Sequence, residues 1–284
     1  MDNEREGAVW MSSYPKSGNT WLRCLLEAYR RNGIIDINDL RISAGDGGSA
    51  VVQSVSPVPI DALGFRGQMQ LRPAAVLNLV TGLTKPTWIK THFANIQPDG
   101  LPHCIPKDFT NKAVYVVRDP RSVLMSFSNF FKTTIEESAT AMGTENFTIG
   151  GEGEHAIQLI SSWSNHVASW VSERNFPVHV VKYEDMVKDT NKELTEVMQF
   201  LGQDVNVEIV SAAVKAVDIT KLRKSEKEFG FNESSGDGRT FFNDGGTRWE
   251  SELENKWIEI IEKDHGDVMR AMGYLEPIRL GLTQ

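Results

Sequence analysis

The chain has 284 residues, 40% of them hydrophobic, with 30 Lys and Arg against 38 Asp and Glu for a formal charge of −8. That length suits one large domain with a sizeable core, expected over residues 1–284, and the acidic balance disfavours nucleic acid or an anionic membrane surface as partner. With no apolar run near the ~18 residues of a membrane span, a charged start from Asp2 to Glu6 instead of a leader core, and two cysteines, Cys24 and Cys104, that fit neither a zinc pattern nor a disulfide framework, a cytoplasmic protein is expected.

The first predicted element is a buried strand over Ala8–Ser12. A tight loop follows, then an amphipathic helix from Thr20 to about Arg30. The loop holds Lys16, Ser17, Gly18 and Asn19. Free N–H groups at a helix start, the helix dipole and a glycine that lets the backbone come close make this an anion seat. It differs from the nucleotide P-loop, which places its lysine after the glycine. The bland alternative is a strand–turn–helix corner with a solvated lysine.

Gly45–Ala62 reads as a loop and a candidate wall of a binding site. A strand over Thr87–Lys90 runs into Thr91 and His92. Another over Ala113–Val117 ends in Arg118 and Asp119, and a helix from Pro120 carries Ser122 and Ser126. Arg offers a planar fork of donors and Ser a hydroxyl, which together suit a phosphate, the alternative being a surface Arg–Asp pair. Ala141–Gly153 reads as a second wall. In Glu154–Glu173 the apolar residues Ile157, Ile160, Trp163, Val167 and Trp170 recur at helical spacing. A strand over Val178–Lys182 leads into Tyr183, and helices are expected over Asn191–Leu201 and Glu252–Met272. Gly230–Gly246, rich in Gly and Asn, is read as a possible lid. Alternating strands and helices predict an α/β fold, with a central, mostly parallel sheet flanked by helices and ligands at the carboxyl ends of the strands.

The block Tyr14-Pro15-Lys16-Ser17-Gly18-Asn19-Thr20-Trp21 closely resembles the 5′-phosphosulfate loop of the cytosolic-type and bacterial sulfotransferases. These use 3′-phosphoadenosine 5′-phosphosulfate (PAPS) as co-substrate and release adenosine 3′,5′-bisphosphate (PAP). Tyr115–Ser126 resembles the family's 3′-phosphate site, which assigns Arg118 and Ser126 to that phosphate. Lys90-Thr91-His92 resembles the segment whose histidine is the family's base, and Tyr183-Glu184-Asp185 the segment whose tyrosine meets the adenine. The resemblance implies a P-loop-like phosphosulfate-binding loop of Lys16, Ser17, Gly18, Asn19 and Thr20. It implies a base site of Trp21 and Tyr183, and a catalytic set of Lys16, His92, Lys90 and Ser126 that needs no metal. Lys16 would stabilise the leaving group and His92 would take the acceptor's proton in an in-line displacement. His103, His155, His166 and His179 match no motif, and His166 and His179 read as structural.

The resemblance loosens after Asp218. The family's Arg-Lys-Gly grip does not align with Arg239–Trp249, so Arg239, Arg248 or the backbone at Gly245 and Gly246 would have to replace it. Ile219 stands where the family has an aromatic. Two other readings stay open: a non-catalytic PAP(S)-binding relative and an ATP-dependent P-loop kinase. The acceptor is expected to be a hydroxylated small molecule. Phe65, Phe93, Phe127, Phe130 and Phe131 are candidates for its pocket, at least half of them expected in the core instead.

Overall fold

The computed structural model describes residues 7–41, 43–82, 88–234, 240–242 and 248–277. In chain order the first elements are β1 (Ala8–Ser13), α1 (Asn19–Arg30), β2 (Ala44–Gly45), α2 (Ser49–Gln53), α3 (Gly64–Gly82), β3 (Trp88–Thr91) and β4 (Thr110–Val117). They continue with α4 (Pro120–Phe131), α5 (Ile135–Gly143), β5 (Thr148–Ile149), β6 (Gln158–Leu159), α6 (Trp163–Val171) and β7 (Val178–Lys182). The last are α7 (Tyr183–Lys188), α8 (Thr190–Phe200), α9 (Val207–Ala216), α10 (Ile219–Phe229), α11 (Trp249–Glu252) and α12 (Asn255–Ala271).

Five strands form a sheet in the order β2-β3-β1-β4-β7, with every pairing parallel. Alternation along the strands explains the layers. Ala8 and Trp10 of β1 with Ala113, Tyr115 and Val117 of β4 face one core, closed by α3, α4, α5, α6 and α12. Val9 and Met11 with Val114 and Val116 face the other, closed by α1, α7, α8, α9 and α10. A parallel strand buried on both faces reads as a continuous apolar run, as these do. β1 lies mid-sheet, its neighbours β3 and β4 being reached in succession across it. The connections therefore part at its carboxyl end, which opens a crevice there.

Two expectations are corrected. The helix predicted over Glu154–Glu173 spans only Trp163–Val171. Before it, β6 pairs antiparallel with β5, Ser161 turns the chain at a φ of 65°, and Ser162 Oγ caps the helix by accepting from the Asn165 N–H at 3.2 Å. Ile160 and Trp163 enter the same core, so the apolar spacing runs on across the break. The Gly45–Ala62 stretch is not all loop, since it holds the end of β2, the helix α2 and a 3-10 turn at Ile60–Ala62. Among the described residues, no helix is long and apolar enough to cross a membrane.

Candidate active site

The loop between β1 and α1 bends through two left-handed residues, Lys16 at a φ of 68° and Gly18 at 104°. Gly18 is required twice over. A Cβ there would stand 2.5 Å from Tyr183 Cδ2, and the φ itself suits only glycine comfortably. Gly18, the N-cap of α1, offers no side chain to cap the helix, which leaves the N–H groups of its first turn for a ligand in the cleft. Asn19 holds the loop to the sheet, its Nδ2 donating to the Met11 carbonyl at 2.9 Å. Asn19 Oδ1 and Trp21 Nε1 are buried without a partner.

One cleft of about 1080 Å³ is lined by Pro15, Lys16, Gly18, Asn19, Thr20, Trp21, Lys90, His92, Arg118, Ser126 and Tyr183. It exceeds the ~300–1,000 Å³ usual for one small ligand, which leaves room for two reactants. Ser17 departs from expectation. Its N–H donates to the Tyr14 carbonyl at 3.3 Å to close the turn, and its side chain is buried and does not line the cleft. Arg239, Gly245 and Gly246 lie outside the described residues.

The cations converge. Arg118, just past β4, donates from Nη1 to the Lys16 carbonyl at 3.2 Å, and its guanidinium stacks 4.3 Å from the Tyr183 ring centre. Arg118 Nε is buried and unpartnered. Asp119 caps α4 by accepting from the Arg121 N–H at 2.9 Å. The helix then presents Ser122, Ser126 and Phe130, each four residues on from the last, to the cleft as one stripe. The Lys16 ammonium lies 3.8 Å and 4.0 Å from the centres of the Phe130 and Phe241 rings. Burial and the neighbouring Arg118 and Lys90 charges push Lys16 down to about 7. Burial lowers Lys90 too, against the pull of Glu233.

His92 follows β3 directly. Its Nδ1 is 2.8 Å from the Ser13 carbonyl oxygen. A carbonyl only accepts, so Nδ1 carries the proton and Nε2 keeps a free lone pair. Burial and the Lys90 charge hold His92 well below the usual histidine range, which keeps it neutral at physiological pH. Its own carbonyl accepts from His166 Nε2 at 3.1 Å, and His166 Nδ1 accepts from the Tyr115 hydroxyl at 2.9 Å. His166 is therefore a buried neutral support, pushed down to about 3 by burial.

On the opposite side Trp21 and Tyr183 meet edge to face at 5.6 Å, beside Val187, Val214, Val217 and Ile219. Phe131, Ile149, His155 and Gln158 also line the cleft. Phe93 and Phe127 are core, and Phe65 packs against it. Sequence reading missed Arg23, Glu233, the position of Phe241 over Lys16, and the polar pair His155 and Gln158. Phe241 is set by α10, where Glu226 Oε1 accepts from the Phe241 N–H at 2.6 Å and Arg223 Nε donates to the Phe242 carbonyl at 2.7 Å. No local pattern announces such contacts across distant segments.

The sulfotransferase domain model matches residues 6–273. The 3-alpha-hydroxysteroid sulfotransferase of Cavia porcellus is 29% identical over 227 residues, covering 75% of this chain and 65% of that protein. Sulfotransferase 1C2 of Rattus norvegicus is 24% identical over 216 residues, covering 75% of this chain and 64% of that protein. The match thus spans about two thirds of the length of these relatives. Among solved structures, mouse sulfotransferase SULT7A1 complexed with PAP aligns with a TM-score of 0.61 at 22% identity, over 95% of this chain and 89% of that one. Retinol dehydratase in complex with androsterone and inactive cofactor PAP aligns with a TM-score of 0.61 at 18% identity, over 94% and 81%. The domain model's match over residues 6–273, on a parallel α/β sheet, makes the chain a member of the sulfotransferase domain family.

Proposed function

We propose that the chain transfers a sulfuryl group from PAPS to a hydroxyl of a small-molecule acceptor. The observation that carries this reading is the convergence of Lys16, Arg118, Ser126 and His92 on one cleft, with uncapped helix N–H groups between them. The fit to the donor rests on the molecule itself. Asn19 Oδ1, Trp21 Nε1 and Arg118 Nε are buried polar atoms without a partner among the described residues, and their residues line the cleft, where a bound anion or base could complete them. The cradle at Gly18 has no room for a side chain. PAP in the structures of fold relatives supports the same choice.

When bound, PAPS supplies a sulfuryl group on an anionic leaving phosphate. Gly18, Asn19 and Thr20 hold the 5′ end through backbone N–H groups and the Thr20 hydroxyl. Arg118 and Ser126 hold the 3′-phosphate, and Trp21 and Tyr183 flank the base. The Lys16 ammonium faces the charge that builds on the departing oxygen, and Lys90 steadies the sulfuryl oxygens. His92 Nε2 receives the acceptor's hydroxyl proton, a role worth about 10²–10⁴-fold in rate. Phe130, Phe131 and Ile149 favour an acceptor with an apolar body. The test is transfer of labelled sulfate from PAPS to a panel of hydroxylated acceptors. Wild type is expected to label at least one. His92→Ala is expected to bind PAP normally while losing about 10²-fold or more of the transfer rate. Equal rates in the two proteins remove His92 from the chemistry.

A further inference from the structure

The Thr20 hydroxyl, at the start of α1, is engaged by a protein carboxylate. It donates to Glu233 Oε2 at 3.2 Å, although the two residues are 213 positions apart. The other oxygen, Oε1, accepts from Arg23 Nη1 at 2.7 Å. Arg23 lies one turn beyond Thr20 on the same helix face, so the carboxylate spans that first turn. The Arg23 side chain is 6% exposed and that of Glu233 32%. Lys90 and Lys16 both feel the Glu233 charge, and Lys16, Thr20, Lys90 and Glu233 all line the cleft.

Glu233 is also held in place from behind. Asn38 Oδ1 accepts from the Asn232 N–H at 2.8 Å, and Asn38 Nδ2 donates to the Gly230 carbonyl at 3.1 Å. The carboxylate thus occupies the Thr20 hydroxyl, a donor the entering phosphate would use, and lies within the field of Lys16 and Lys90 at the positive end of α1. Two anions cannot share that seat without strong repulsion.

We propose that Glu233 is a tethered counter-anion. In the empty enzyme its carboxylate fills the terminal anion seat of the Lys16–Thr20 loop, and the phosphosulfate or phosphate end of the nucleotide displaces it. This rests on the donor reading above. Because the competitor is intramolecular, its effective concentration is high and constant. Glu233 then weakens nucleotide binding and speeds the release of PAP, since its return to Thr20 and Arg23 stabilises the vacated seat.

The experiment is a calorimetric titration of PAP into wild type, Glu233→Gln and Glu233→Asp, with stopped-flow dissociation and melting of each ligand-free protein. Glu233→Gln is expected to melt lower when empty, because Arg23 loses its counter-ion. It is expected to bind PAP at least about tenfold more tightly, mostly through slower dissociation. Glu233→Asp keeps a charge near Arg23 but is one methylene too short to reach Thr20 as well, and should fall between the two. PAP affinity in both variants equal to or weaker than wild type overturns the proposal and makes Glu233 a support for Arg23. PAP binding by none of the three proteins overturns the donor reading, and this inference with it.

Discussion

Lys16 is a cation kept against its preference. It lies between two phenylalanine rings, and burial together with Arg118 and Lys90 brings its pKa to about 7, with Glu233 and Glu226 pulling the other way. An arriving anion restores the charged form, so Lys16 has a higher pKa in the complex than in the free protein. The sign follows. PAP affinity is full below about pH 7 and declines as pH rises above it, because binding must then take up a proton. At pH 8 the uptake at Lys16 is expected to approach ~0.9 proton per PAP bound. Calorimetry in two buffers of different ionisation enthalpy measures it, and Lys16→Met should remove that share. The position of Lys16 before Gly18 was legible in the sequence, as was His92 after its strand. Their protonation was not. The His92 tautomer depends on a carbonyl of β1, 79 residues away, and the Lys16 pKa on burial and on the charges of Arg118, Lys90, Glu233 and Glu226, all distant in sequence.

Among the elements, the β1–α1 corner tolerates least. Gly18→Ala places a methyl group 2.5 Å from the Tyr183 ring and forces alanine into a φ of 104°. A cost of about 1–3 kcal/mol in folding stability is expected, with PAP affinity falling as Tyr183 is pushed from Trp21. Chemical denaturation and PAP titration of the variant check both. This corner, β3, β4, β7, α8 and α12 were readable because a buried parallel strand and a one-faced helix each leave a distinct period. The stretch ahead of α6 was misread for the same reason. Ile157, just ahead of β6, and Ile160, just past it, keep helical spacing although the chain between them is a strand, and period alone cannot separate the two. α3 escaped notice because Pro73 lies inside it, and proline ordinarily argues for a helix end.

At the scale of the whole molecule, an acidic protein collects Lys16, Lys90 and Arg118 about one crevice, a gathering that net charge conceals. Binding there joins α1 of one layer to α4 of the other across the sheet, so a nucleotide should stabilise the domain as a unit. At about a hundred times its dissociation constant PAP adds ~2.7 kcal/mol, which for a chain this long raises the melting temperature by about 5 °C. ATP with Mg²⁺, lacking a 3′-phosphate for Arg118 and Ser126, is expected to give a clearly smaller shift at equal concentration. Equal shifts would favour a kinase-like site. The order of strands could not be read beyond "mostly parallel", since pairing is a long-range property. It has a practical outcome. All five strands of the sheet point the same way, so the cleft occupies one rim, and among the described residues the far rim, with Asp108 ahead of β4 and Pro177 ahead of β7 exposed there, supplies no lining residue. Dyes, tags or surface tethers attached at that silent end would leave the working face open to both reactants.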